Sequence, residues 1–303
     1  MIYTVTLNPA LDYVMQVKKL GFEDINRSYY EDLHYGGKGI NVSVVLTRLG
    51  VPTKALGFIA GFTGEQLKKM LIAEGVDCSF IELKQGNTRI NVKIKSDTEL
   101  DINARGPLVD DGEIEALLKV IGQVEAGDYL VLAGSVPENL PGDIYERMLK
   151  GLKEKGVNFV VDTTGALFLS VLKYKPFLIK PNHHELGELF GVKIESDSDV
   201  YTYAKKLQDM GARNVLISRG SKGATLLDEN GEVSSIGIVK GNVVNTVGSG
   251  DSMVAGFLAG YEEKGDYKHA LRLGAACGNA TAFCEALAEP CDIESAFNKL
   301  KIN

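Results

Sequence analysis

From about residue 106 onward, apolar positions along the chain fall into two alternating periods. Ile114, Leu117, Leu118 and Ile121 recur at helical spacing, and the unbroken apolar run Tyr129-Leu130-Val131-Leu132-Ala133 then predicts a buried strand. Ile144, Met148, Leu149 and Leu152 mark a second helix, followed by the short strand Phe159-Val160-Val161. Phe177-Leu178-Ile179 is a further strand, Val200, Tyr203, Ala204, Leu207 and Met210 a further helix, and Val215-Leu216-Ile217 the strand after it. Strands that alternate with helices predict βαβ units: an α/β fold with a mostly parallel sheet and helices on both faces. Ligands of such sheets collect beyond the carboxyl ends of the strands.

Two stretches break this rhythm. Residues from about 11 to 35 and from about 87 to 105 alternate polar with apolar positions, as in Arg89-Ile90-Asn91-Val92-Lys93-Ile94-Lys95. Strict alternation predicts strands with one exposed face. Both segments are inserted between core elements, so they are expected to pair as a small sheet projecting from one domain that spans residues 1–303. Such a sheet serves as a lid, as a dimer contact, or only as a decorated edge.

Composition narrows the function classes. Apolar residues make up 45% and charged residues 24% of the 303, the balance of a soluble globular chain. Thirty-three basic residues against forty acidic ones give a net charge of −7, which argues against a nucleic-acid partner. No apolar run approaches the ~18 residues of a membrane span, and the start lacks the basic segment of a signal peptide, so a cytoplasmic location with no membrane partner is expected. Cys277, Cys284 and Cys291 are spaced by seven, which places Cys277 and Cys284 on one helical face as core residues. No Cys-x-x-Cys pair occurs, and His183-His184 lacks a second histidine at metal spacing, so no zinc site is expected.

Glycine departs from the ordinary: 34 residues, about 11%, against roughly 7% in average proteins. One cluster, Asn245-Thr246-Val247-Gly248-Ser249-Gly250-Asp251, runs into apolar residues at helical spacing, so Gly248, Ser249 and Gly250 sit where a helix begins. The first N–H groups of a helix lack internal partners and form a positive end, and small residues let an anion approach them. An aspartate in a first turn is an ordinary helix-stabilising residue. It is also what phosphoryl transfer needs beside an anion hole, a carboxylate that takes the proton of the attacking hydroxyl. The dinucleotide fingerprint fails because position 253 is Met, and neither a Gly-x-x-x-x-Gly-Lys-Ser/Thr loop nor a Gly-x-Ser-x-Gly elbow occurs. The second cluster, Gly36-Gly37-Lys38-Gly39-Ile40-Asn41-Val42-Ser43, opens a helix running to Leu49. A lysine at a helix start opposes the dipole and asks for an anion.

These two clusters resemble the two signatures of the ribokinase-like carbohydrate kinases, in their phosphofructokinase-B branch. Further matches run along the whole chain: Thr6-Leu7-Asn8-Pro9-Ala10-Leu11-Asp12, Thr88-Arg89-Ile90-Asn91-Val92, Gly134-Ser135-Val136-Pro137, Lys180-Pro181-Asn182-His183-His184-Glu185-Leu186 and Ser218-Arg219-Gly220-Ser221-Lys222-Gly223-Ala224. The resemblance implies Asp251 as catalytic base and the amides of Gly248, Ser249 and Gly250 as the hole for the γ-phosphate. It implies that Asp12 and Asn41 bind sugar hydroxyls, that Gly36 and Gly37 let the sugar lie against backbone, and that Lys38 and Arg89 hold a phosphate already on the substrate. Asn103, Arg27 and Arg105 would add to the substrate site. Lys180, Asn182, Ser218, Arg219, Gly220, Ser221, Lys222 and Gly223 would line the ATP site, with Gly250 at its phosphate end, and Glu185 would hold Mg²⁺ through water. Two departures stand out. Gly-Ser-Gly-Asp replaces the usual Gly-Ala-Gly-Asp, and Leu100 and Ala104 replace an expected Thr and Gly in the small sheet.

The implied activity is transfer of phosphate from ATP to the free primary hydroxyl of a ketohexose monophosphate. D-fructose 1-phosphate is the first expectation, with tagatose 6-phosphate and then fructose 6-phosphate as alternatives. A homodimer through the small sheet is expected from the same likeness. Two readings from other classes are a non-catalytic sugar-phosphate sensor, which would need neither Asp251 nor the anion hole, and a nicotinamide oxidoreductase, which the missing fingerprint disfavours.

Overall fold

Buried apolar runs set the core strands, and a computed structural model that describes residues 1–302 except Phe22, Asp24 and Thr164, with only the backbone of Ala166, shows how they are ordered. The first half contains β1 (Ile2–Thr6), β2 (Ala10–Val17), β3 (Ser28–Gly36), α1 (Lys38–Arg48), β4 (Thr53–Ala60), α2 (Gly61–Ala73), β5 (Asp77–Leu83), β6 (Arg89–Lys95), β7 (Glu99–Ile102) and α3 (Asp111–Ile121). Next come β8 (Tyr129–Ala133), α4 (Ile144–Lys150), β9 (Asn158–Asp162), α5 (Gly165–Val171), β10 (Leu178–Ile179), α6 (His183–Phe190), α7 (Asp197–Asp209) and β11 (Asn214–Ser218). The chain closes with β12 (Ala224–Leu227), β13 (Val233–Ile236), α8 (Ser249–Lys264), α9 (Tyr267–Ala282) and α10 (Pro290–Lys299).

Nine strands form one sheet in the order β13-β12-β11-β10-β9-β8-β1-β4-β5. Pairing is parallel from β5 to β11, as the alternation of strands and helices predicts. The antiparallel pair β12–β13 extends it at one edge. That hairpin was not expected; its two strands are only four residues each and read as loop until paired. Helices α1, α2, α8, α9 and α10 bury Leu46, Leu67, Val254, Leu271 and Ile293 on one face. The other face is covered by α3, α4, α5, α6 and α7 through Leu117, Met148, Phe168, Leu186 and Leu207. Burying each such side chain is worth about 1.5–3 kcal/mol, so this double layer fixes the strand ends.

The alternating segments pair as the expected small sheet, in the order β3-β2-β6-β7. Parallel pairing of β2 with β6 sets Ala10 opposite Arg89 and Asp12 opposite Asn91. The cysteine spacing misleads at one point: Cys277 is fully buried, but α9 stops at Ala282, so Cys284 lies in the turn beyond and not on the helix face. Among the described residues, no helix is long and apolar enough to cross a membrane.

Candidate active site

A cleft of about 1160 Å³ opens at the carboxyl ends of the parallel strands, where the small sheet overhangs them. Its floor collects residues that end or follow β1, β8, β9, β10 and β11: Thr6, Gly134, Asp162, Lys180 and Ser218. The starts of α1 and α8 face this floor, because both helices pack on the same side of the sheet.

Local sequence makes the α8 start open. Gly248 stands at φ +80°, a left-handed turn that suits glycine, and the helix has no side-chain cap. Among the described residues, the N–H groups of Gly248, Gly250 and Asp251 have no partner, whereas that of Ser249 donates to the Thr246 carbonyl at 3.3 Å. The free donors are therefore those around Ser249 rather than its own amide, and the Ser249 hydroxyl is buried without a partner. Asp251, two residues on, is 6% exposed and accepts a 2.8 Å hydrogen bond from Asn41 Nδ2 of α1. Burial, then the nearby charge of Asp162, pushes its carboxyl up to about 7, against the opposing pull of Asn41, Lys38 and Lys180. A carboxylate tuned near neutrality is suited to exchange a proton with a hydroxyl.

Asp162 is the cleft residue that sequence reasoning missed. It ends β9, is 3% exposed, and lies 3.3 Å from Lys38 Nζ and 3.6 Å from Lys180 Nζ. Among the described residues its Oδ2 has no hydrogen-bond partner, so a buried acceptor faces the cleft beside two cations. Desolvation alone would lower the pKa of Lys38; Asp162, Asp251 and Glu185 outweigh it and raise it. Lys180 also borders the α8 start, since a Cβ on Gly250 would stand 3.0 Å from its Nζ.

The opposite wall belongs to the small sheet. Asp12 accepts from Asn91 Nδ2 at 2.8 Å, and Gly36 leaves it room: a Cβ there would lie 2.8 Å from Asp12 Oδ1. Gly37 is at φ +129° directly before α1. Arg89 donates Nε to the Asn8 carbonyl (3.1 Å) and Nη1 to the Ala104 carbonyl (3.4 Å), leaving Nη2 without a partner among the described residues. Burial lowers the pKa of its guanidinium, with Asp12 acting against that. Lys38 Nζ is thus held at Asp162, and the Arg89 guanidinium at the Asn8 and Ala104 carbonyls. Asn103 lines the cleft; Arg27, exposed before β3, and Arg105, 3.6 Å from Glu138, do not.

Asn182 and Glu185 cap α6 reciprocally. The Asn182 side chain accepts from the N–H groups of His184 and Glu185, and Glu185 Oε2 accepts from the Asn182 N–H at 2.7 Å. Among the described residues the second Glu185 oxygen makes no hydrogen bond, and the residue lines the cleft. Of the expected nucleotide residues, Lys180, Asn182, Ser218 and Gly250 line the cleft together. Arg219 instead pairs with Asp197, and Gly220, Ser221 and Lys222 form a single 3-10 turn closed by Gly223 outside the cleft walls. Among the described residues, no three acidic, histidine or cysteine side chains form a metal cluster. Glu185 and Asp162, each with one oxygen that makes no hydrogen bond among the described residues, fit Mg²⁺, which takes one or two carboxylates and fills its shell with water and phosphate.

Comparison with known proteins agrees with this geometry. The pattern of the pfkB family carbohydrate kinases matches residues 6–294. The chain is 45% identical over 302 residues to 1-phosphofructokinase of Bacillus subtilis, covering 100% of this chain and 99% of that one. It is 36% identical over 303 residues to D-tagatose-1-phosphate kinase of Bacillus licheniformis, again covering 100% and 99%. Among solved structures, phosphofructokinase-2 from Escherichia coli in complex with substrates and products superposes with a TM-score of 0.93 at 27% identity, covering 98% of each chain. The chain belongs to the pfkB family of carbohydrate kinases.

Proposed function

We propose that this kinase transfers the γ-phosphoryl group of ATP to the free primary hydroxyl of D-fructose 1-phosphate, giving D-fructose 1,6-bisphosphate. The observation that carries the reading is the α8 start: three partnerless N–H groups beside a buried carboxyl held by Asn41. Asp251 takes the proton of the attacking hydroxyl, which its raised pKa suits. The amides of Gly248, Gly250 and Asp251 receive the charge on the moving phosphoryl oxygens, fixed in advance by the helix. Lys38 and Lys180, held by Asp162 until phosphate arrives, add two positive charges there. Asp12 and Asn41 bind ring hydroxyls, Asn103 lines the same region, and the unpartnered Nη2 of Arg89 meets the phosphate already on the sugar. When bound with ATP, Mg²⁺ on Glu185 and Asp162 would neutralise charge on the phosphates.

A second reading has a specific warrant. The tagatose relative is named for the 1-phosphate, and tagatose 1-phosphate differs from fructose 1-phosphate only in the configuration at C4. Both present a phosphate at C1 and a free hydroxyl at C6, so the same anchors serve either. Phosphorus NMR of the reaction tests the chemistry: ADP and a doubly phosphorylated hexose in equal amounts are expected, and ADP with inorganic phosphate alone would sink it. Exposed Ile90 and Ile102, on one face of the small sheet, support a homodimer through that face. Sedimentation at the monomer mass of 32.8 kDa across working concentrations would remove that part of the proposal.

A further inference from the structure

We infer that Arg48 is a positioning residue for phosphoryl transfer, acting through the 285–288 loop on the Gly248 turn that opens α8. This rests on the reading of the α8 start as the phosphoryl site. Arg48 ends α1, and its side chain is only 12% exposed. Its Nη1 donates to the carbonyls of Leu287 (2.6 Å) and Ala288 (3.1 Å), and its Nη2 lies 3.0 Å from Glu289 Oε1. Nε and Nη2 grip the Glu74 carboxylate at 3.0–3.3 Å. A cation at the end of a helix commonly complements the dipole; this one instead closes a loop from a distant part of the chain.

What that loop supports is the anion turn. A Cβ on Gly248 would stand 2.6 Å from Leu287 Cδ2, so the leucine packs directly against the glycine. Asn245, three residues before Gly248, donates to the Glu285 carbonyl at 2.9 Å. Ala288 N–H donates to Thr281 Oγ1, which pairs with Ser252 Oγ inside α8. On its other side, Glu74 accepts the Tyr35 hydroxyl at 3.2 Å, and Tyr35 directly precedes the Gly36 that packs on Asp12. Arg48 therefore ties the sugar-side strand β3 to the turn that receives the phosphoryl group. Only a planar fork makes these contacts at once; a lysine would keep the charge and lose the geometry.

The test compares wild type with Arg48→Lys, Leu287→Ala and their double variant, measuring kcat, both KM values, thermal midpoint, and affinities for ADP and for ADP with fluoroaluminate. Arg48→Lys is expected to lower kcat about 10- to 100-fold, the scale of a misplaced catalytic group, with KM for both substrates little changed. The fluoroaluminate complex should weaken by the same factor while ADP alone does not. Leu287→Ala should show this signature, and the double variant should be no worse than the worse single one. Arg272→Lys, which loosens a comparable guanidinium on the Phe297 carbonyl, should lower the thermal midpoint without moving that ratio. Arg48→Lys with wild-type kcat per folded molecule would overturn the inference, as would equal weakening of ADP and its fluoroaluminate complex. If Arg48→Lys does not fold, Leu287→Ala with a normal kcat overturns it alone. A wild type inactive on every acceptor would instead fell the functional reading.

Discussion

Replacing Asp251 by Asn should make the protein more stable and nearly inactive, in a pH-dependent way. In the fold the carboxyl ionises only near 7, against 3.8 in the open chain, chiefly because burial penalises the charge and Asp162 adds to the penalty. That gap corresponds to on the order of 4 kcal/mol against the ionised form. Below about pH 4 both states hold the proton and the site contributes nothing. Between about 4 and 7 the unfolded chain has released its proton while the folded one keeps it, so stability falls as pH rises; above 7 the full penalty is present. An asparagine carries no such charge, and its carbonyl still accepts from Asn41. At pH 8 the variant should therefore withstand several kcal/mol more than wild type in urea titration, and the difference should close towards pH 4. Turnover measured as ADP release should fall by roughly 10²- to 10⁴-fold, the scale of losing a general base. Wild-type turnover should rise with pH through about 7, as the base becomes ionised. A variant no more stable than wild type at pH 8 would refute the buried-charge reasoning, and near-normal turnover would refute the assignment of the base.

Three other perturbations probe the rest of the cleft. Gly248→Ala places a side chain at φ +80° and 2.6 Å from Leu287, so kcat should fall on the order of 10²-fold, with a lower thermal midpoint. A normal kcat would show that the turn does not bear on transfer. Arg89→Ala removes a charged anchor worth about 1.5–3 kcal/mol; KM for the sugar phosphate should rise roughly 10- to 100-fold with little change for ATP, and an unchanged KM would relocate the phosphate site. Lys38→Ala should act mainly on kcat, because its ammonium lies at Asp162. A loss confined to the sugar-phosphate KM would return Lys38 to the acceptor's phosphate.

The parts of the site that were legible in the sequence are those built on helix starts. Gly248, Gly250 and Asp251, and Gly37, Lys38 and Asn41, sit in glycine-rich strings that suit a backbone-mediated anion site, and the fold brings both strings to one cleft. The small sheet was legible too, through the strict polar–apolar alternation of β6; β2, with Tyr13-Val14-Met15 in a row, carries no such signal. Asp162 was not, since a single aspartate after Phe159-Val160-Val161 carries no spacing signal. What could have found it is its place: a carboxylate closing the apolar run Phe159-Val160-Val161 at the end where ligands gather. Arg48 was hidden for another reason. At the end of a helix a cation looks like an ordinary complement to the dipole, and its partners at 74 and 287–289 are remote in the chain. Of the nucleotide string at 218–223, Ser218 lines the cleft, while Arg219 pairs with Asp197 and Gly220–Lys222 form a separate turn, which no spacing in the string signals.

The most direct test of the central claim is kcat/KM for MgATP-dependent ADP release with fructose 1-phosphate, tagatose 1-phosphate, tagatose 6-phosphate, fructose 6-phosphate and free fructose. Fructose 1-phosphate should be the best of the five, with free fructose far behind because Arg89 then lacks its anion. Turnover of free fructose as fast as of its phosphates, or no turnover of any of them, would contradict a kinase that acts on the far hydroxyl of a sugar phosphate.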